Sequence, residues 1–146
     1  MPTRDELTDF LADFDKQTVP KVGTYEESKG FPRATDMYHP ALVWAMAKKG
    51  GYLGEELKVH LAELYGLTLE QLSLVSPKGV PVFFNRVDWV TARFTKTGIH
   101  TSIDGKPHRT PNSRYYLTSY GYDVGEGKVE WGQGPRGALP DPRQLG

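Results

Sequence analysis

The sequence predicts an α+β fold, mainly helical, in which a β-hairpin follows a series of helices. Three observations predict it. Apolar residues recur at helical spacing in stretches that end at glycine or proline. The period changes from 3.6 to 2 after Gly98. The 146 residues are 38% hydrophobic, an ordinary fraction that supplies one small core.

The first element is "TRDELTDFLADFD". Thr3 and Glu6 form a capping box, and Asp5 and Glu6 suit the positive end of a helix dipole. Leu7, Phe10, Leu11 and Phe14 fall at i, i+3, i+4 and i+7, which predicts an amphipathic helix over 4–16. Its polar face is acidic. The apolar stripe packs either on the core or on a second copy of the chain, which makes this helix the candidate homodimer contact. Residues 17–37, with Pro20, Gly23, Gly30 and Pro32, read as a loop.

"YHPALVWAMAKKGG" predicts a helix over 39–49, with Pro40 in its first turn and Gly50-Gly51 as its stop. "GEELKVHLAELYG" predicts the next, with Leu57, Leu61 and Leu64 as its buried stripe. "LTLEQLSLVSPKG" starts with a second capping box, Thr68 to Gln71, and breaks at Ser76-Pro77. A long helix over 82–97 follows and stops at Gly98. Phe83, Val87, Val90 and Phe94 form its apolar face, and Asn85, Arg86, Trp89, Ala92, Arg93 and Lys96 fall on the other side.

Beyond Gly98, Ile99, Thr101 and Ile103 alternate with His100 and Ser102, and "RYYLTSYG" alternates again. The polar "DGKPHRTPNS" joins these two strands into a hairpin. Past Val124 the chain is rich in glycine and proline and is expected to be flexible. The organisation is therefore an arm (1–37), a domain (38–124) and a tail (125–146). Helices followed by a β-hairpin is the order of a winged helix-turn-helix, in which the last helix enters a DNA major groove and the hairpin, or wing, lies on the neighbouring backbone.

The charge distribution points the same way. Formal net charge is zero, yet residues 78–114 carry Lys78, Arg86, Arg93, Lys96, Lys106, Arg109 and Arg114 against only Asp88 and Asp104, a local balance of +5. A basic block confined to the last helix and the hairpin suits a polyanion.

Other classes have little support. There are no cysteines, so disulfides, thiolate metal sites and thiol nucleophiles are excluded. No apolar run is long enough to span a bilayer, and "MPTRDELTDF" lacks a signal pattern, so a cytoplasmic, nucleoid-associated location is expected. No Gly-rich phosphate loop, serine nucleophile motif or metal-spaced His/Glu pair is present. Neither catalysis, cofactor nor metal is expected. His100 and His108 are too weak a pair for a metal and serve better as extra positive charge below pH ~6.5. His39 and His60 are expected to be structural.

"YGLTLEQ", "SPKG", "FFNRVDW", "TKTGI" and "YYLTSYG", spread over residues 38–122, resemble the N-terminal domain of Mrr-type restriction endonucleases. That resemblance implies a winged helix that brings a nuclease to DNA. It does not extend to the nuclease domain. Glu126 to Lys128 gives a nominal Glu-x-Lys of such a centre, with Asp104 or Asp123 before it, but it stands in a Gly-flanked stretch with no strand pattern, so nuclease activity is not carried over.

The candidate DNA contacts are Asn85, Arg86, Trp89, Arg93 and Lys96 on the long helix, Lys78 before it, and Lys106, His108, Arg109 and Arg114 in the hairpin. Asn85 and Arg86 lie where base contacts usually fall; Arg93 and Lys96 lie nearer phosphates. Trp89 borders the basic face and invites stacking, but a tryptophan is more often packed, and packing is expected. Trp44 is expected in the core, and the tyrosines at 115, 116, 120 and 122 between sheet and helices. The expected function is non-catalytic binding of double-stranded DNA, as a regulator or as the targeting module of a separately encoded nuclease. The rival is a protein-interaction adaptor of the same fold. Acidic residues from 5–15 neutralising the basic strip would favour that rival, or an arm that must move before DNA binds.

Overall fold

The computed structural model describes residues 2–12, 21–22, 30–102 and 114–132. The fold is α+β and mainly helical. In chain order the elements are α1 (Arg4–Ala12), β1 (Lys21–Val22), α2 (Ala34–Met46), β2 (Tyr52–Leu53), α3 (Gly54–Leu64), α4 (Leu69–Leu72), β3 (Leu74–Val75), α5 (Val82–Thr97), β4 (His100–Ser102), β5 (Arg114–Leu117) and α6 (Ser119–Gly125).

The capping boxes form as their sequences require. In α1 the Glu6 N–H donates to Thr3 Oγ1 at 3.1 Å, and in α4 the Thr68 N–H donates to Gln71 Oε1 at 2.8 Å. α5 closes on Gly98, whose φ of 80° is left-handed, with the Ile99 N–H returning to the Phe94 carbonyl at 2.9 Å. This carries the chain straight from α5 into β4.

Helix α2 begins at Ala34, before the expected start, so Pro40 sits inside it rather than in its first turn. Proline offers no N–H to the Asp36 carbonyl. That carbonyl instead accepts from the Tyr65 hydroxyl at 3.4 Å, so α2 continues without a break. In α3, Leu57 and Leu61 are buried as expected, but Leu64 is 53% exposed; Val59 and Ala62 take the remaining inward positions.

β4 and β5 pair antiparallel, with His100 opposite Leu117. A third strand unforeseen from the sequence, β2, pairs antiparallel with the other edge of β5, giving the order β2-β5-β4. A separate parallel pair joins β1 to β3, so the stretch expected to be wholly loop contributes a strand. After β5, "SYGYDVG" is a helix rather than the end of a strand, started by Thr118, whose Oγ1 accepts from the Gly121 N–H at 3.0 Å. Thr118 also donates to the Gly98 carbonyl, so one buried hydroxyl joins the end of α5 to the start of α6. Gly121 lies against the Ile99 carbonyl so closely that a Cβ would collide with it.

One hydrophobic cluster takes in Leu7 of α1, Phe31, the inner faces of α2 to α5, and Tyr122 of α6. Phe10 and Leu11 pack against it and α1 lies on α3, so the described part of the α1 stripe faces its own core; Phe14 lies outside the described residues. Past Val124, Trp131 packs edge-on to Tyr38 at 4.5 Å and donates its indole N–H to Thr97 Oγ1 at 2.8 Å. The first part of the expected flexible tail is thus seated on the core.

Candidate nucleic-acid interface

Helix α5 carries the site, and its two faces are sharply different. Inward, Phe83, Val87, Val90 and Phe94 are fully buried, with Phe84 and Thr91 beside them. Outward, Asn85, Ala92, Arg93 and Lys96 are exposed, and Trp89 between them is 64% exposed. The expectation that Trp89 packs is therefore overturned. Its position is fixed by its neighbours: with Phe83, Val87 and Val90 turned inward, 100° per residue turns position 89 to water.

Arg93 and Lys96 make no ion pair among the described residues, and Lys96 sits in the last turn, where the helix dipole favours a cation. Among the described residues, no acidic side chain of α1 pairs with them; Asp13 and Asp15 lie outside the described residues. Arg4 of α1 pairs with Glu63 of α3 at 3.5 Å, and among the described residues no ion pair joins Asp5, Glu6 or Asp9 to α5. The one acid of α5, Asp88, is held by Lys58 of α3 at 3.0 Å, an ion pair with no signature in the sequence. Lys78 is exposed on the tight turn before α5, where the Gly79 N–H closes on the Ser76 carbonyl at 2.8 Å.

Two candidates have other attachments. The Arg86 guanidinium donates to the carbonyls of Phe31 and Pro32, each at 3.3 Å, and lies over the Phe31 ring. It is half-buried and ties the segment before α2 to α5, so it stands apart from the exposed stripe. Arg114 is exposed, and its guanidinium reaches the Gly51 carbonyl at 3.2 Å, bracing the turn before β2. Lys106, His108 and Arg109 lie outside the described residues.

His100 is not a surface cation. It is fully buried, and burial lowers its pKa to about 3. Its Nε2 lies 3.0 Å from the Thr91 carbonyl, which can only accept, so Nε2 carries the proton and Nδ1 accepts from the Tyr52 hydroxyl. Its ring stacks on Tyr115 at 4.2 Å. The alternation seen in β4 is correct but its phase is opposite to the apolar one: His100 and Ser102 face inward. His60, half-buried and stacked on Trp44 at 5.3 Å, is likewise held below the ordinary histidine range by burial. His39 is exposed.

Trp44 is half-buried against Tyr52 and the core, and Tyr115 and Tyr122 pack between sheet and helices as expected. Glu126 and Lys128 form an ion pair at 2.9 Å across a turn at the end of α6, not a paired strand. Among the described residues no cluster of His, Asp or Glu is arranged to hold a metal, and no helix is long and apolar enough to cross a membrane. The chain matches no family model, no curated protein and no solved structure.

Proposed function

We propose that this protein is a winged-helix module that binds double-stranded DNA without catalysis, laying the outer face of α5 in the major groove and the β4–β5 finger along the adjoining backbone. The observation that carries this reading is the outer face of α5: Asn85, Trp89, Arg93 and Lys96 lie together on a helix whose back is wholly buried, with the two cations unpaired among the described residues. A rigid helix presenting amide, indole and cationic groups suits base edges and phosphates. The sheet order supports it, because β2 anchors the hairpin from its second edge and the Gly98 cap fixes the hairpin to the end of α5. The similarity of "FFNRVDW" and "TKTGI" to the N-terminal domain of Mrr-type endonucleases supports it too, and makes targeting of a separate nuclease one role for the module.

The test is a salt titration of duplex binding. Lys78, Arg93 and Lys96 are exposed, and Lys106 and Arg109 belong to the same basic block of the sequence; with all five on phosphates, log K should fall with log salt at a slope of about −4.5. A flat slope, or no duplex bound at low salt, refutes the reading.

Exposure of Trp89 favours a second reading, a protein-interaction adaptor, because an exposed tryptophan ringed by polar groups is a typical anchor of protein interfaces. Salt-insensitive capture of a protein partner, abolished by Trp89→Ala, would select it.

A further inference from the structure

The middle of the outer α5 face is apolar. Trp89 and Ala92 are both exposed, and they separate Asn85 from Arg93 and Lys96. Phosphates attract the two cations but give an indole no reason to face water at that point. Base edges do, because the major groove offers one apolar group, the 5-methyl of thymine. Asn85, one helical turn earlier, carries the side-chain type that pairs bidentately with adenine N6 and N7. Four residues of helix span about 6 Å, and two base-pair steps span about 7 Å. A helix lying along the groove therefore brings the two side chains to base pairs no more than two steps apart. Asp88, which would otherwise compete for cytosine N4, is bound to Lys58 at 3.0 Å.

We propose that α5 reads an A·T-containing step, with Trp89 and Ala92 against a thymine methyl and Asn85 on the edge of a neighbouring adenine. This rests on the duplex-binding reading above and adds the identity of what is read. The sequence preference comes from the apolar and amide groups, whereas Arg93 and Lys96 hold the backbone.

The experiment starts from duplexes enriched by the full chain from a random-sequence library. One enriched duplex is synthesised twice, with thymine and with uracil, which keeps every hydrogen-bonding atom and removes only the methyl. The thymine form should bind about fourfold tighter for each methyl contacted, the value of one buried methyl group. Trp89→Ala should cut the advantage of the thymine form by half or more, leaving only what Ala92 contributes, while Asn85→Ala should weaken both and preserve their ratio. Because both side chains are exposed, neither variant should disturb folding, which circular dichroism checks. Equal affinity of the unaltered chain for the two forms overturns this proposal and leaves duplex binding standing. No duplex enriched or bound at low salt overturns both.

Discussion

The inner and outer faces of α5 are made by the same sixteen residues, and they answer to different demands. The inner face is a closed packing problem: Phe94 alone meets Tyr38, Trp131 and His100 within ring-contact distance. Among the described residues, the side chains of Trp89, Arg93 and Lys96 on the outer face make no ion pair or hydrogen bond. Trp89 could be replaced without opening a cavity, yet the position holds the largest side chain available. A residue type that folding does not explain, on a helix that folding explains fully, is where an external ligand should be sought.

The contrast can be broken most severely from the inside. Phe94→Ala should cost about 3–5 kcal/mol of stability, read as a lowered urea midpoint, with Trp89→Ala within about 0.5 kcal/mol of the parent. Similar losses at both positions would mean that the outer face is covered after all.

A second, smaller effect separates the buried polar groups from the exposed ones. His100 is neutral when folded down to about pH 3, while the unfolded chain protonates it near 6.5. The unfolded state therefore binds more protons between those values, so stability rises with pH across that window and is lost on acidification. Between pH 7.5 and pH 5 the loss should be about 2 kcal/mol, measured by denaturant titration at each pH. The half-buried His60 adds to it in the same direction. A pH-independent midpoint would contradict the burial of His100.

The smallest effect divides two arginines seven residues apart. Arg86→Ala removes two donors from backbone carbonyls and should lower stability by about 1–2 kcal/mol. Arg93→Ala should leave stability within about 0.5 kcal/mol and weaken duplex binding instead. Interchanged phenotypes would show that the stripe has been divided at the wrong residue.

The inner face of α5 was legible because apolar side chains repeat along it. Both capping boxes were legible because their partners are three residues apart. What escaped was non-local or very short. Arg86 finds its acceptors more than fifty residues away, and His100 finds Tyr52 forty-eight residues away. β2 has two residues and therefore no period to read. α6 contains two glycines and depends on the Thr118 cap rather than on propensity. Trp89 escaped because most tryptophans are packed, and only the angular position of its neighbours shows that this one is not.

Gly121 sets a limit on how the molecule can vary. With only a hydrogen between α6 and the Ile99 carbonyl, the hairpin's root is pinned against the far end of α5 at a single separation. The end of α5, the start of β4 and α6 thus meet at a seam with one permitted spacing, and a methyl group there would have to prise α6 off the junction, so the position admits glycine alone.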